Sequence, residues 1–89
     1  MNLTKVEIIE KGSIYAYVEV AMPKMGITIR RVPIIKKDKA MWANLPSFSV
    51  ENNGEREWYS YVQFLDESHG KAWAKQVKGL FDEWLVQNG

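Results

Sequence analysis

The 89 residues include no cysteine and a single histidine, His69. The first absence removes disulfides, thiol nucleophiles and cysteine-held zinc. Together the two exclude the common sulfur- and imidazole-ligated transition-metal sites. No glycine-rich phosphate loop is present. No apolar run approaches the ~20 residues of a membrane span. An excess of one charge is also missing: 12 Lys+Arg stand against 11 Asp+Glu, a net charge of +1. A chain so balanced has no global attraction for nucleic acid or membrane, so any electrostatic argument must be local. Glu55 and Glu57 come nearest to a carboxylate pair for acid–base work. They flank Asn53-Gly54 and read as solvated loop charges, while His69 reads as a residue at a helix start. The sequence therefore predicts a non-enzyme with no catalytic residue, no metal, no cofactor and no small-molecule substrate.

The chain is 46% hydrophobic and 26% charged, ordinary for a globular domain, and its length fits one domain over residues 1–89. A chain this short buries only roughly 60–65% of its unfolded surface, so a partner subunit would help it. The opening MNLTKVEIIEKG carries charge too early for a secretory signal. The expected setting is the cytoplasm, without a membrane.

Period-2 alternation dominates the first two-thirds. TKVEIIEK (residues 4–11) and IYAYVEVA (14–21) make a hairpin around Gly12-Ser13. In the second of these, Ile14, Ala16, Val18 and Val20 share one face, and Tyr15, Tyr17 and Glu19 the other. MPKMG turns the chain into ITIRRVPIIK. Continuing the phase of Ile27 and Ile29 would bury Arg31, whereas restarting it at Val32 and Ile34 does not, which predicts a bulge at Arg30-Arg31. Pro33, which cannot donate to a ladder, should then sit at an edge or beside that bulge. KKDK (36–39) reads as a turn and AMWANL as a fourth strand ended by Pro46. SFSVENNGERE is a loop or long hairpin arm with Asn53-Gly54 at its tip. WYSYVQF is read as the fifth strand, with Trp58, Val62 and Phe64 in the core. Beyond Asp66 or Ser68 as N-cap, Trp73, Val77, Leu80, Phe81 and Trp84 follow the spacing of one buried helix face. The fold class expected is α+β: an antiparallel meander sheet of about five strands with one C-terminal helix packed on one face.

Charge is segregated along the chain. Lys24, Arg30, Arg31, Lys36, Lys37 and Lys39 meet only Asp38 in their stretch, and Glu51, Glu55, Glu57, Asp66 and Glu67 meet only Arg56 in theirs. The basic group can contact phosphate by counterion release; a solvated face, or pairing of the two segments, would give the same pattern. The sheet face away from the helix would carry Tyr15, Tyr17, Trp42, Tyr59 and Tyr61. Such a face suits a dimer interface, cross-strand packing or stacking of unpaired bases.

Several stretches resemble the SpoVG family of small bacterial septation and sporulation regulators. They are KVEIIEKGSIYAYVEVAM, the following ITIRRVPII, the Trp42-Ala43-Asn44-Leu45-Pro46-Ser47 run, the Gly54-Glu55 pair and a C-terminal helix. The resemblance spans most of the chain. It implies a homodimeric, SpoVG-like domain of antiparallel sheet plus helix that binds DNA and RNA. The sequence departs from the family after Pro46-Ser47, where basic residues are common and Phe48-Ser49-Val50-Glu51 stand here. Lys36, Lys37 and Lys39, or the helix lysines, would have to supply the phosphate contacts instead. The rival expectation is a protein-interaction module without nucleic-acid binding.

Overall fold

A computed structural model describes the whole chain, Met1–Gly89. Alternating apolar and polar residues give four antiparallel strands in sequential order: β1 (Asn2–Lys11), β2 (Ile14–Met22), β3 (Ile27–Lys37) and β4 (Ala40–Ala43). A separate hairpin of β5 (Ser47–Asn52) and β6 (Glu55–Ser60) follows, and then one helix, α1 (Glu67–Asn88). The architecture is the expected α+β meander with its C-terminal helix. The count differs: there are six strands, and the last two form their own sheet.

Ala16, Val18, Val20, Ile29, Val32, Ile34 and Ala43 point from the sheet toward Trp73, Val77 and Phe81 of α1, and these ten form the buried core. Trp84 is half-buried against them, and Leu80 is half-buried. Asp66 caps α1, its carboxylate accepting from the Ser68 backbone N–H at 2.9 Å and from the Ser68 hydroxyl at 2.6 Å. This satisfies donors that a helix start leaves unpaired. On the solvent side Lys71 pairs with Glu67 at 3.4 Å and Lys78 with Asp82 at 2.7 Å.

The bulge anticipated at Arg30-Arg31 is present. The β2–β3 register slips between Val18↔Val32 and Val20↔Ile29, and Arg31 takes a left-handed backbone with φ of 59°. The slip keeps Ile29 and Val32 both on the helix side. Pro33 lies two residues on. Its carbonyl accepts from Asn44 N–H just past the end of β4, so its missing N–H faces a place where no ladder partner is required.

A second bulge corrects the expected faces. Ile14 pairs with Ile35 and Ala16 with Ile34, so the β2 register slips at Tyr15. Tyr15 thereby joins the helix side, edge-on to Phe81 with ring centroids 5.9 Å apart, and Ile14 turns to the opposite face. A further correction concerns WYSYVQF. Pairing runs from Ser47↔Ser60 to Asn52↔Glu55, so the strand begins before Trp58 and ends at Ser60. Trp58 is 68% exposed and not in the core; Val62 is exposed as well. Phe64 alone of the three reaches the helix, packing against Trp73. Asn53 and Gly54, with φ of 54° and 82°, form the tight tip that an Asn-Gly pair favours.

Candidate nucleic-acid and partner surfaces

The sheet face away from α1 is set by β2 and β3. Past the bulge, Arg31, Pro33, Ile35 and Lys37 alternate onto that face along β3, and Trp42 opposes Ile35 from β4. On β2, Tyr17 lies opposite Pro33 and Ile14 opposite Ile35. The β5–β6 hairpin stands beside this surface, its base closed one rung beyond Ser47↔Ser60 by Tyr61 N–H donating to the Pro46 carbonyl at 2.9 Å. Between them runs a groove of about 720 Å³. Its floor is Ile14, Tyr17, Pro33 and Ile35, and its far wall is Trp58 and Tyr61. Arg31 is the one charged residue lining it. The guanidinium sits 3.9 Å from the centre of the Tyr17 ring, a cation–π placement. Its nearest carboxylate is Glu7, at 3.9 Å and on the solvated side, which leaves the cation open to an anion.

The expected basic residues are divided among three places. Lys24 lies in the β2–β3 turn at one end of the sheet, with Arg30 and Arg31 at the bulge and Lys36, Lys37 and Lys39 at the other end. Lys24 and the Lys36–Lys39 end are separated by the length of β2, about 26 Å at ~3.3 Å per residue. Arg30 is held by Glu19 at 3.2 Å. Lys36 leans over Tyr15 on the helix side, 5.3 Å from the ring centre. Arg31 and Lys37 are therefore the two of the six that share a row with the groove.

The five aromatic candidates are dispersed too. Tyr17 and Tyr61 both line the groove, Trp42 lies on the same sheet face outside it, and Tyr15 is on the helix side. Tyr59 belongs to the outer face of the hairpin. There Phe48 stacks on Tyr59 with centroids 5.7 Å apart and touches Tyr61 at 4.8 Å, while Val50 and Glu57 continue the face. The Tyr59 hydroxyl donates to the Glu57 carboxylate, a bond that raises its pKa above the usual tyrosine value, with slight desolvation adding to the rise. The other hairpin face carries Ser49, Arg56 and Trp58, and the Arg56 guanidinium donates to Ser49 Oγ at 2.6 Å. Trp58, which looks like a core residue in the sequence, is thus a groove residue. Its alternate neighbours Arg56 and Ser60 are polar, the sign in the sequence that its face is open to solvent.

A smaller hollow of about 510 Å³ lies by the start of α1, between Leu45, Phe64 and Trp73. Its two charges, Glu67 and Lys71, are paired with each other. The Trp73 indole N–H has no partner and lies sealed within the core. No three His, Cys, Asp or Glu side chains come together as metal ligands, and no helix is long and apolar enough to cross a membrane. No protein-family model matches the chain, and neither does any curated protein or solved structure.

Proposed function

We propose that this chain is a small nucleic-acid-binding regulatory protein that acts as a homodimer. The observation that carries the reading is the groove whose single charge is the Arg31 guanidinium, set against Tyr17 and faced by Trp58 and Tyr61. A cation framed by flat aromatic surfaces suits a ligand that is anionic on one side and aromatic on the other, and nucleotides combine the two. Lys37 extends the same row, and Lys36 and Lys39 make that end of the sheet basic. The SpoVG-like sequence pattern points the same way. Lys24 and Arg30 serve, on this reading, as outlying phosphate contacts.

The homodimer reading rests on the hairpin. Two strands alone are marginal in water, yet this pair exposes Phe48, Val50 and Tyr59 on its outer face. An aromatic patch of this kind is characteristic of an interface core. The same patch, flanked by Glu51, Glu55 and Glu57, supports the second reading, a protein-interaction module with no nucleic-acid role.

Fluorescence anisotropy with short DNA and RNA strands, single and double, separates the two. A nucleic-acid binder loses affinity steeply as salt rises, and the triple substitution Lys36→Glu, Lys37→Glu, Lys39→Glu removes binding while leaving the far-ultraviolet spectrum unchanged. Absence of binding down to low salt would leave the interaction module standing. Sedimentation of the same sample gives the mass; a monomer at high protein concentration would remove the dimer.

A further inference from the structure

Resting on the nucleic-acid reading, we infer that the groove between the sheet and the β5–β6 hairpin accepts an unpaired base of a single-stranded nucleic acid. The strand's backbone then follows the β3 row from Arg31 to Lys37.

Four features lead there. The groove is walled by aromatics on opposite sides, Tyr17 on the sheet and Trp58 and Tyr61 on the hairpin. A flat ring inserted between them stacks on at least one face. Tyr61 and Trp58 are 69% and 68% exposed, so their rings are available without unfolding anything. Second, the volume of about 720 Å³ lies within the ~300–1,000 Å³ range of small-ligand sites. A volume of this size holds a base and its sugar and cannot take in a segment of duplex. A base still paired in a helix presents only its edge, and reaching Tyr17 requires leaving the stack.

Third, the β3 row reads cation, apolar, apolar, cation: Arg31, Pro33, Ile35, Lys37. Six residues of strand put its ends about 20 Å apart, a span that several consecutive phosphates of one strand can follow. A free mononucleotide would use Arg31 alone and leave Lys37 unengaged, which is why a polymer is the better occupant. Fourth, Asn44 and Ser47 also line the groove. They offer an amide and a hydroxyl, the donors and acceptors that read the edge of an unpaired base.

The hairpin's outer face is the competing location for a second copy of the chain. It bears Phe48 and Tyr59, whereas Trp58 lies on the other side of the same ribbon. Base binding and self-association therefore separate at Trp58 and Tyr59, while Tyr61, which lines the groove and touches Phe48, borders both.

The test uses the full chain with a labelled twelve-nucleotide single strand, the same sequence as a blunt duplex, and the free mononucleotide. The single strand binds at least roughly ten-fold more tightly than the duplex at equal salt. Trp58→Ala weakens single-strand binding roughly ten- to hundred-fold, as loss of one stacked base does, with the slope against salt unchanged. Lys37→Gln instead lowers that slope by about 0.7, one phosphate on a single strand. Trp58 is exposed, so its variant keeps the parent urea midpoint. Equal affinity for strand and duplex would overturn the inference while leaving the nucleic-acid reading intact. So would Trp58→Ala binding like the parent, or the mononucleotide binding as tightly as the strand. If Trp58→Ala alters the mass in solution and not the affinity, a second copy fills the groove. If neither form binds at any salt, the broader reading falls as well.

Discussion

The inverted position of Tyr15 can be tested by its energetic coupling to Phe81. Phe81 is fully buried, with Tyr15 edge-on at 5.9 Å and 77° on one side and Trp84 at 6.1 Å on the other. An edge-to-face pair of this kind contributes about 0.5–1.5 kcal/mol beyond area burial. Truncating Phe81 to Ala would cost about 3–5 kcal/mol. A chain of this length has only roughly 4–13 kcal/mol in total, so Ala risks unfolding it. Leucine at each position keeps the cavity small, and the cycle is therefore Tyr15→Leu, Phe81→Leu and the double variant. Urea unfolding followed by tryptophan fluorescence gives each free energy, and circular dichroism checks that the transition is two-state. The expected coupling is about 1 kcal/mol, well above the ~0.3–0.5 kcal/mol scatter of independent sites. A coupling inside that scatter would mean that Tyr15 does not touch Phe81, and the reasoning about the bulge at Ile14-Tyr15 would be wrong.

Two further outcomes follow from α1. A Cβ added at Gly79 meets no atom within 4 Å, and the position is mid-helix and exposed. Gly79→Ala therefore raises stability by about 0.5–1 kcal/mol, read as a higher urea midpoint at constant slope; a lower midpoint would contradict the open surroundings. Asp66 has its pKa lowered, first by the Ser68 hydroxyl bond and then by the backbone N–H groups of Ser68 and His69. Its stabilising contribution is complete above the unfolded carboxyl value near ~3.9 and is lost as pH falls through the lower folded value. Asp66→Asn keeps an acceptor at the cap but does not titrate. Any advantage of the parent over this variant must therefore shrink on acidification; an advantage constant from neutral to strongly acid pH would exclude Asp66 as the titrating cap.

Local chemistry explains which parts of this fold are legible in the sequence. The Arg30-Arg31 bulge is legible because a second arginine breaks the alternation, and continuing it would bury a guanidinium. Asn53-Gly54 announces its turn through the backbone angles those residues accept. Asp66 and the Trp73–Val77–Phe81 spacing announce the helix and its buried side. The bulge at Tyr15 has no such sign. Tyrosine is at home on either face of a sheet, so a slip there leaves the hydrophobic pattern plausible in both registers. The hairpin is obscured for another reason. Ser47, Ser49 and Glu51 alternate with Phe48 and Val50 in β5, but in β6 Trp58 shares its face with Arg56 and Ser60 while Tyr59 shares its face with Glu57, so neither face of β6 reads as clearly apolar. Trp58 reads as core because it alternates with Val62 and Phe64, but β6 ends at Ser60 and the phase does not carry through. The groove is a relation between two separate sheets, and no single stretch of sequence encodes it.

The division of apolar residues between body and hairpin bears on why the hairpin exists. The ten-residue core is complete without β5 or β6, since none of their residues belongs to it. Phe48, Val50, Trp58, Tyr59 and Tyr61 are all exposed, so their burial does little to fold a single chain, and they add aggregation risk that a small domain ordinarily avoids. Residues kept outside a core at that cost are best explained by intermolecular contacts. The ribbon has two unlike sides, one meeting the cationic groove and one bearing the stacked Phe48–Tyr59 pair. On the proposed reading it presents a base-stacking side chain inward and a subunit contact outward. A substitution at Trp58 then changes ligand affinity and one at Tyr59 changes mass, with the sheet–helix body unaffected by either, while Tyr61 bears on both.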